Sequence, residues 1–106
     1  MKVFDLSEMK TFPYQERGRN VFYQAEKFKT RIIELQPNGE MPSCKMPEYV
    51  IFVVLEGEVT VGVNSEKVEL REKHCFITEP ATLSMKTKRG ARLLGIQIEG
   101  NRVNSL

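Results

Sequence analysis

Three soft sulfur donors fall close together in this chain, Met41, Cys44 and Met46 in EMPSCKMPEY. If the fold brings Met85 opposite them, these groups could hold a thiophilic ion such as Cu(I), because soft ligands select soft metals. The plainer reading is that the methionines fill irregular gaps in a core and Cys44 is a small hydrophobe. A second candidate is His74 beside Cys75, a base next to a thiol. Neighbours along a strand point to opposite faces, so the two are expected to part, with the imidazole at the surface and the thiol in the core. Lys86, Lys88, Arg89 and Arg92 crowd one short segment around an expected hairpin tip. Such a group reads as a solvated turn.

The whole chain bounds what these groups can serve. At 106 residues with 41% apolar residues, it is one domain with enough apolar mass for a core. A net charge of +2 is too small to argue for nucleic acid. No apolar stretch approaches the roughly 20 residues that cross a bilayer, so no membrane partner is expected. The opening MKVFDLSEMK carries acids and lacks an apolar centre, so no signal peptide is expected and the protein reads as cytoplasmic. Two cysteines are too few for a disulfide scaffold or a zinc ribbon, and both are expected to be thiols.

The elements that must position these residues are short and β-rich. Strands are expected over 21–27, 29–36, 50–55, 58–63, 67–70, 74–78, 83–87 and 91–99, with 40–47 as a loop or an edge because of its two prolines. The run VIFVVL is β-branched and continuous, as in a strand buried on both faces. After it, Val59, Val61 and Val63 alternate as in a strand with one buried face. Gly57 between the two is read as a tight turn or bend. Pro37-Asn38-Gly39 is a turn, since proline presets φ and Asn-Gly favours positive φ. Asn64-Ser65 reads as a hairpin turn. Residues 6–10 allow a short helical turn in an otherwise irregular N-terminal extension over 1–20. A β-barrel follows over 21–100, and a tail over 101–106. Strands at this spacing, without helical periodicity, give an all-β sandwich or barrel.

The strand pattern, the PNG turn and VLEGEVTV together resemble the small single-domain cupins over about residues 30–98. The resemblance implies a double-stranded β-helix, the jelly-roll barrel of that family. The first cupin motif closes on a glycine, matched by Gly57. Counting back from it, the family's glutamate ligand falls on Val50 and its two histidines near Ser43 and Lys45. The second motif would open on Lys73 and place its histidine on Leu83. None of these is a ligand for iron, manganese, nickel or zinc, so no metal and no cofactor is expected.

In that register Phe52, Val54, Leu83 and Met85 line the barrel. The ligand-binding set is then Lys45, Ser43, Val50, Phe52, Leu83 and Met85. Lys45 is placed where the family has a metal-binding histidine, at the rim of an apolar lumen. There it would orient an anionic or carbonyl-bearing small molecule, with Glu48 and Glu79 near enough in sequence to neutralise it. Desolvated, it could instead serve as a nucleophile. The function expected is a metal-free domain that binds or senses a small molecule. The alternative is a cupin-type enzyme, an isomerase or oxygenase, with a non-standard or soft-metal site. The second apolar face of 50–55 calls for cover by the other sheet's edge, the N-terminal segment or a partner, and a homodimer is expected.

Overall fold

A single long strand, Tyr49–Val63, organises the chain. The structure, a computed structural model, describes residues 1–100; the tail expected over 101–106 lies outside the described residues. A 3-10 helix, Tyr14–Asn20, precedes β1 (Val21–Gln24), β2 (Phe28–Leu35), β3 (Glu40–Met46), β4 (Tyr49–Val63), β5 (Glu66–Arg71), β6 (Cys75–Thr78), β7 (Ala81–Lys86) and β8 (Ala91–Ile98). Among the described residues no helix is long and apolar enough to cross a membrane.

All pairings are antiparallel. The first half of β4 pairs with β6 and β8, and β8 leads on to β2 and β1. Its second half pairs with β5 and β7, and β7 with β3. One strand therefore serves two sheets, whose inner faces close on a common core.

The change of sheet has a local cause. The register slips between Val54 and Glu56, a bulge at Leu55. Before it the buried residues are even-numbered (Val50, Phe52, Val54), and after it odd-numbered (Val59, Val61). An extra residue reverses the side-chain phase, so both halves send apolar groups inward. Gly57 follows with φ of 79°. A Cβ there would collide with the carbonyl oxygen of Gly90, in the turn between β7 and β8. Only glycine fits this crossing. Leu83, Met85 and Leu93 complete the core, each contributing about 1.5–3 kcal/mol by leaving water.

Several expectations change here. Residues 50–55 and 58–63 are one bent strand, because the bulge redirects the chain and pairing with β8 resumes at Glu56. Ile51, Val53 and Leu55 on its outer side are only half-buried. Residues 40–46 are a full edge strand. Its Pro42 lies where the register slips, a place that tolerates a missing N–H. Pro37-Asn38-Gly39 turns as expected, with Asn38 at φ 64° and the Gly39 N–H donating to Gln36 O at 2.7 Å.

The N-terminal segment is held, and it is Arg92 that holds it. This residue is buried, 8% exposed, so it is no part of a solvated turn. Its Nη2 donates to the carbonyls of Leu6 and Met9, both at 2.7 Å, and its Nη1 donates to the Glu34 carboxylate at 2.9 Å. The Thr11 hydroxyl donates to the same carboxylate at 2.8 Å. The Asn20 side chain bonds both backbone groups of Phe12. Residues 6–12 thereby cover one corner of the outer sheet face, and the 3-10 helix follows.

Candidate functional site

The lumen keeps one cavity of about 160 Å³, walled by several elements at once. β4 supplies Val50 and Phe52, β7 Leu83, β2 Arg31 and Ile33, β3 Met41, Cys44 and Met46, β8 Gly95 and Gln97, and the 3-10 helix Tyr14 and Arg17. Space is made by Gly95: a Cβ there would stand 3.1 Å from Ile33 Cδ1, 3.5 Å from Arg31 Cγ and 3.6 Å from the Phe52 ring. The Phe52 ring is itself stacked on Phe76, with centroids 5.7 Å apart. The floor is thus apolar.

The polar groups gather at one wall. Arg31 shares the inward phase of β2 with Ile33, so the sheet aims its guanidinium at the cavity. Its Nη2 donates to Gln97 Oε1 at 3.0 Å, and Gln97 Nε2 donates to Glu48 Oε1 at 3.0 Å. The Arg31 Nε is buried and has no partner among the described residues. Burial pushes the Arg31 pKa down, and the positive charge of Arg17 adds to this; Glu48 and Tyr14 oppose it. An arginine stays protonated in proteins, so the cost appears as a poorly solvated cation that an anion would relieve. Arg17 is oriented by its own helix: Nη1 donates to Tyr14 O at 3.0 Å, and the guanidinium lies 4.1 Å from the Tyr14 ring centroid.

The structure divides the expected site residues. Val50, Phe52 and Leu83 meet at the cavity. Met85 is buried in the core beside them but is not in the cavity wall. Ser43 and Lys45 are exposed. Lys45 lies in a surface groove with Pro47, Asn64 and Thr82, so the expected lysine at the rim of the lumen is corrected. The reason is phase: Cys44 and Met46 point inward from β3, and Lys45 between them must point out. Glu48 neutralises no lysine and bonds Gln97 instead.

Cys75 is also corrected. It is exposed rather than a core thiol, because Phe76 takes the inward phase of β6. His74 sits in the turn before β6, where its Nδ1 accepts the Arg71 N–H at 3.0 Å. Among the described residues, no three His, Cys, Asp or Glu side chains converge as a metal-binding group. Sequence reasoning missed Arg31, Gln97, Tyr14 and Arg17. The alternation Arg31, Ile33, Leu35 could have revealed the first, whereas nothing local marks the others.

No protein-family model matches the sequence, and no curated protein matches it. Solved structures do. An uncharacterized conserved protein with a double-stranded β-helix domain from Klebsiella pneumoniae superposes with a TM-score of 0.80 at 16% identity, covering 95% of this chain and 92% of that one. The TT1209 protein of Thermus thermophilus gives a TM-score of 0.80 at 19% identity, covering 93% and 98%. The cupin domain of Schizosaccharomyces pombe Cnp3 gives 0.70 at 21% identity, covering 80% of this chain and 65%, just under two thirds, of that one. Likeness at this level of identity speaks for architecture alone, and together with the shared-strand topology it shows that the chain folds as a double-stranded β-helix of the cupin kind.

Proposed function

We propose that the cavity binds a small organic acid, its apolar body against Val50, Phe52 and Leu83 and its carboxylate on Arg31. The observation that carries this is the buried, unpartnered Nε of Arg31 in a wall where Arg17 adds further positive charge. A carboxylate would supply the missing acceptor and relieve the repulsion between the guanidiniums. The volume of about 160 Å³ sets the size, since a cavity of about 150 Å³ accepts benzene. Benzoate is therefore a suitable probe, with neutral benzyl alcohol as its match in size. Benzoate should raise the melting temperature and benzyl alcohol should not. Equal shifts, or none, would remove the basis for an anion site. Binding is favoured over the isomerase or oxygenase alternative because the cavity wall holds no carboxylate or imidazole among the described residues.

The expected homodimer is retained within this proposal. The outer face of the larger sheet presents Ile51 and Val53 from β4, Leu94 and Ile96 from β8, and Cys75 and Ile77 from β6, without a charge among them. Ile77 is 67% exposed and Tyr49 40%. A large uncharged face of this kind commonly marks a contact surface, and a second copy would offer the same face to it.

A further inference from the structure

We infer that the acid held in the cavity is a dicarboxylic acid, with one carboxylate on Arg31 in the lumen and the other on Arg17 at the mouth. The inference rests on the organic-acid reading and narrows its ligand to a dianion. Two guanidiniums line the cavity, and among the described residues no carboxylate does. The nearby acids are engaged elsewhere. Glu16 pairs with Arg19 at 2.8 Å, and Glu48 accepts the side-chain amide of Gln97 at 3.0 Å. Neither Arg17 nor Arg31 forms an ion pair among the described residues. One acid group would leave a guanidinium unmatched, whereas two would give each a charge-assisted partner.

The two arginines stand at different depths. Arg31 comes from β2 opposite Gly95 and is half-buried. Arg17 is exposed, so it marks where the cavity opens to solvent. Burial lowers the Arg31 pKa most and the charge of Arg17 comes next, so the two cations act on one another across the opening. Arg17 is also prepared for a partner. The Tyr14 ring lies 4.1 Å from its guanidinium, and the Tyr14 carbonyl accepts only Nη1. The Asn20 amide ties both backbone groups of Phe12, which closes the segment carrying Arg17 at its base. A side chain already fixed loses little further freedom on meeting an anion.

Isothermal titration calorimetry on the full chain compares benzoate with the ortho, meta and para benzenedicarboxylates. These keep its ring and vary the spacing of the second acid; their monomethyl esters keep the bulk and remove the second charge. At least one isomer should bind about fivefold more tightly than benzoate, the scale of a well-placed exposed ion pair. Its ester should not. Arg17→Met should erase that preference. Arg19→Met, which removes an equal charge from the same helix outside the cavity wall, should leave it in place. If benzoate binds and no isomer binds more tightly, the inference falls and the organic-acid reading stands. A preference that survives Arg17→Met, that is lost equally in Arg19→Met, or that the ester shares would also overturn it. Binding by neither benzoate nor any isomer would overturn both.

Discussion

Arg31→Met separates a binding arginine from a structural one. Methionine keeps most of the stem and removes the guanidinium. In the free protein two effects oppose each other. The Nη2 bond to Gln97 is lost, at about 0.5–1.5 kcal/mol, or about 1.5–3 if its charge counts fully. The buried Nε without a partner is removed as well, and leaving such a group unsatisfied costs about 1–3 kcal/mol. Relief of repulsion from Arg17 adds to the second effect. The sum is close to zero, so the unfolding free energy from a urea titration should change by no more than about 1 kcal/mol. The bound state has no such cancellation. A carboxylate on Arg31 gains a charge-assisted bond of about 1.5–3 kcal/mol, so the variant should bind benzoate roughly tenfold to hundredfold more weakly. At a ligand concentration about a hundred times Kd, the natural protein gains about 2.7 kcal/mol. A thirtyfold weaker variant would gain only about 0.8 at the same concentration. With roughly 4 °C per kcal/mol for a chain of this size, a shift near 10 °C should shrink to near 3 °C. Titration by differential scanning fluorimetry measures both. An unchanged shift, or a loss of free stability above about 3 kcal/mol, would show that Arg31 serves the fold and not a ligand.

Three other perturbations probe the frame around the cavity. Gly57→Ala forces a side chain into positive φ and against Gly90, so urea unfolding should show a loss of at least about 3 kcal/mol; a loss under about 1 would mean that β4 can bend without a glycine. Arg92→Met frees the carbonyls of Leu6 and Met9 and unpairs Glu34, itself about one-third exposed. Limited proteolysis should then cut within residues 1–12 much faster, with a stability loss of about 1–3 kcal/mol; unchanged cleavage would mean the segment is held otherwise. Light scattering should give a dimer mass at micromolar concentration and a monomer for Ile77→Glu, whose exposed position keeps the fold within about 0.5 kcal/mol. A natural protein that is already monomeric would end the dimer proposal.

Much of the architecture was legible because it rests on local chemistry. Val59 and Val61 alternate, Asn38 and Asn64 take positive φ at turns, and Gly57 marks a place where no other residue fits. Each of these is a statement about nearest neighbours along the chain, and the all-β barrel follows from them. The site followed a different logic. Lys45 was placed inward by counting along a motif, and one bulge at Pro42–Ser43, created by pairing with β7, set the phase that turned it out. The charge in the cavity wall is instead Arg31, made conspicuous only when β2 pairs with β8 and sets it beside Gln97, with Glu48 behind. The sequence by itself determined which segments become strands and where they turn, because φ preferences and side-chain alternation act within a few residues. Only the tertiary structure decided which side chains share the cavity, because strand register and bulges are fixed by hydrogen-bond partners dozens of residues away, and a slip of one residue moves a side chain from lumen to solvent.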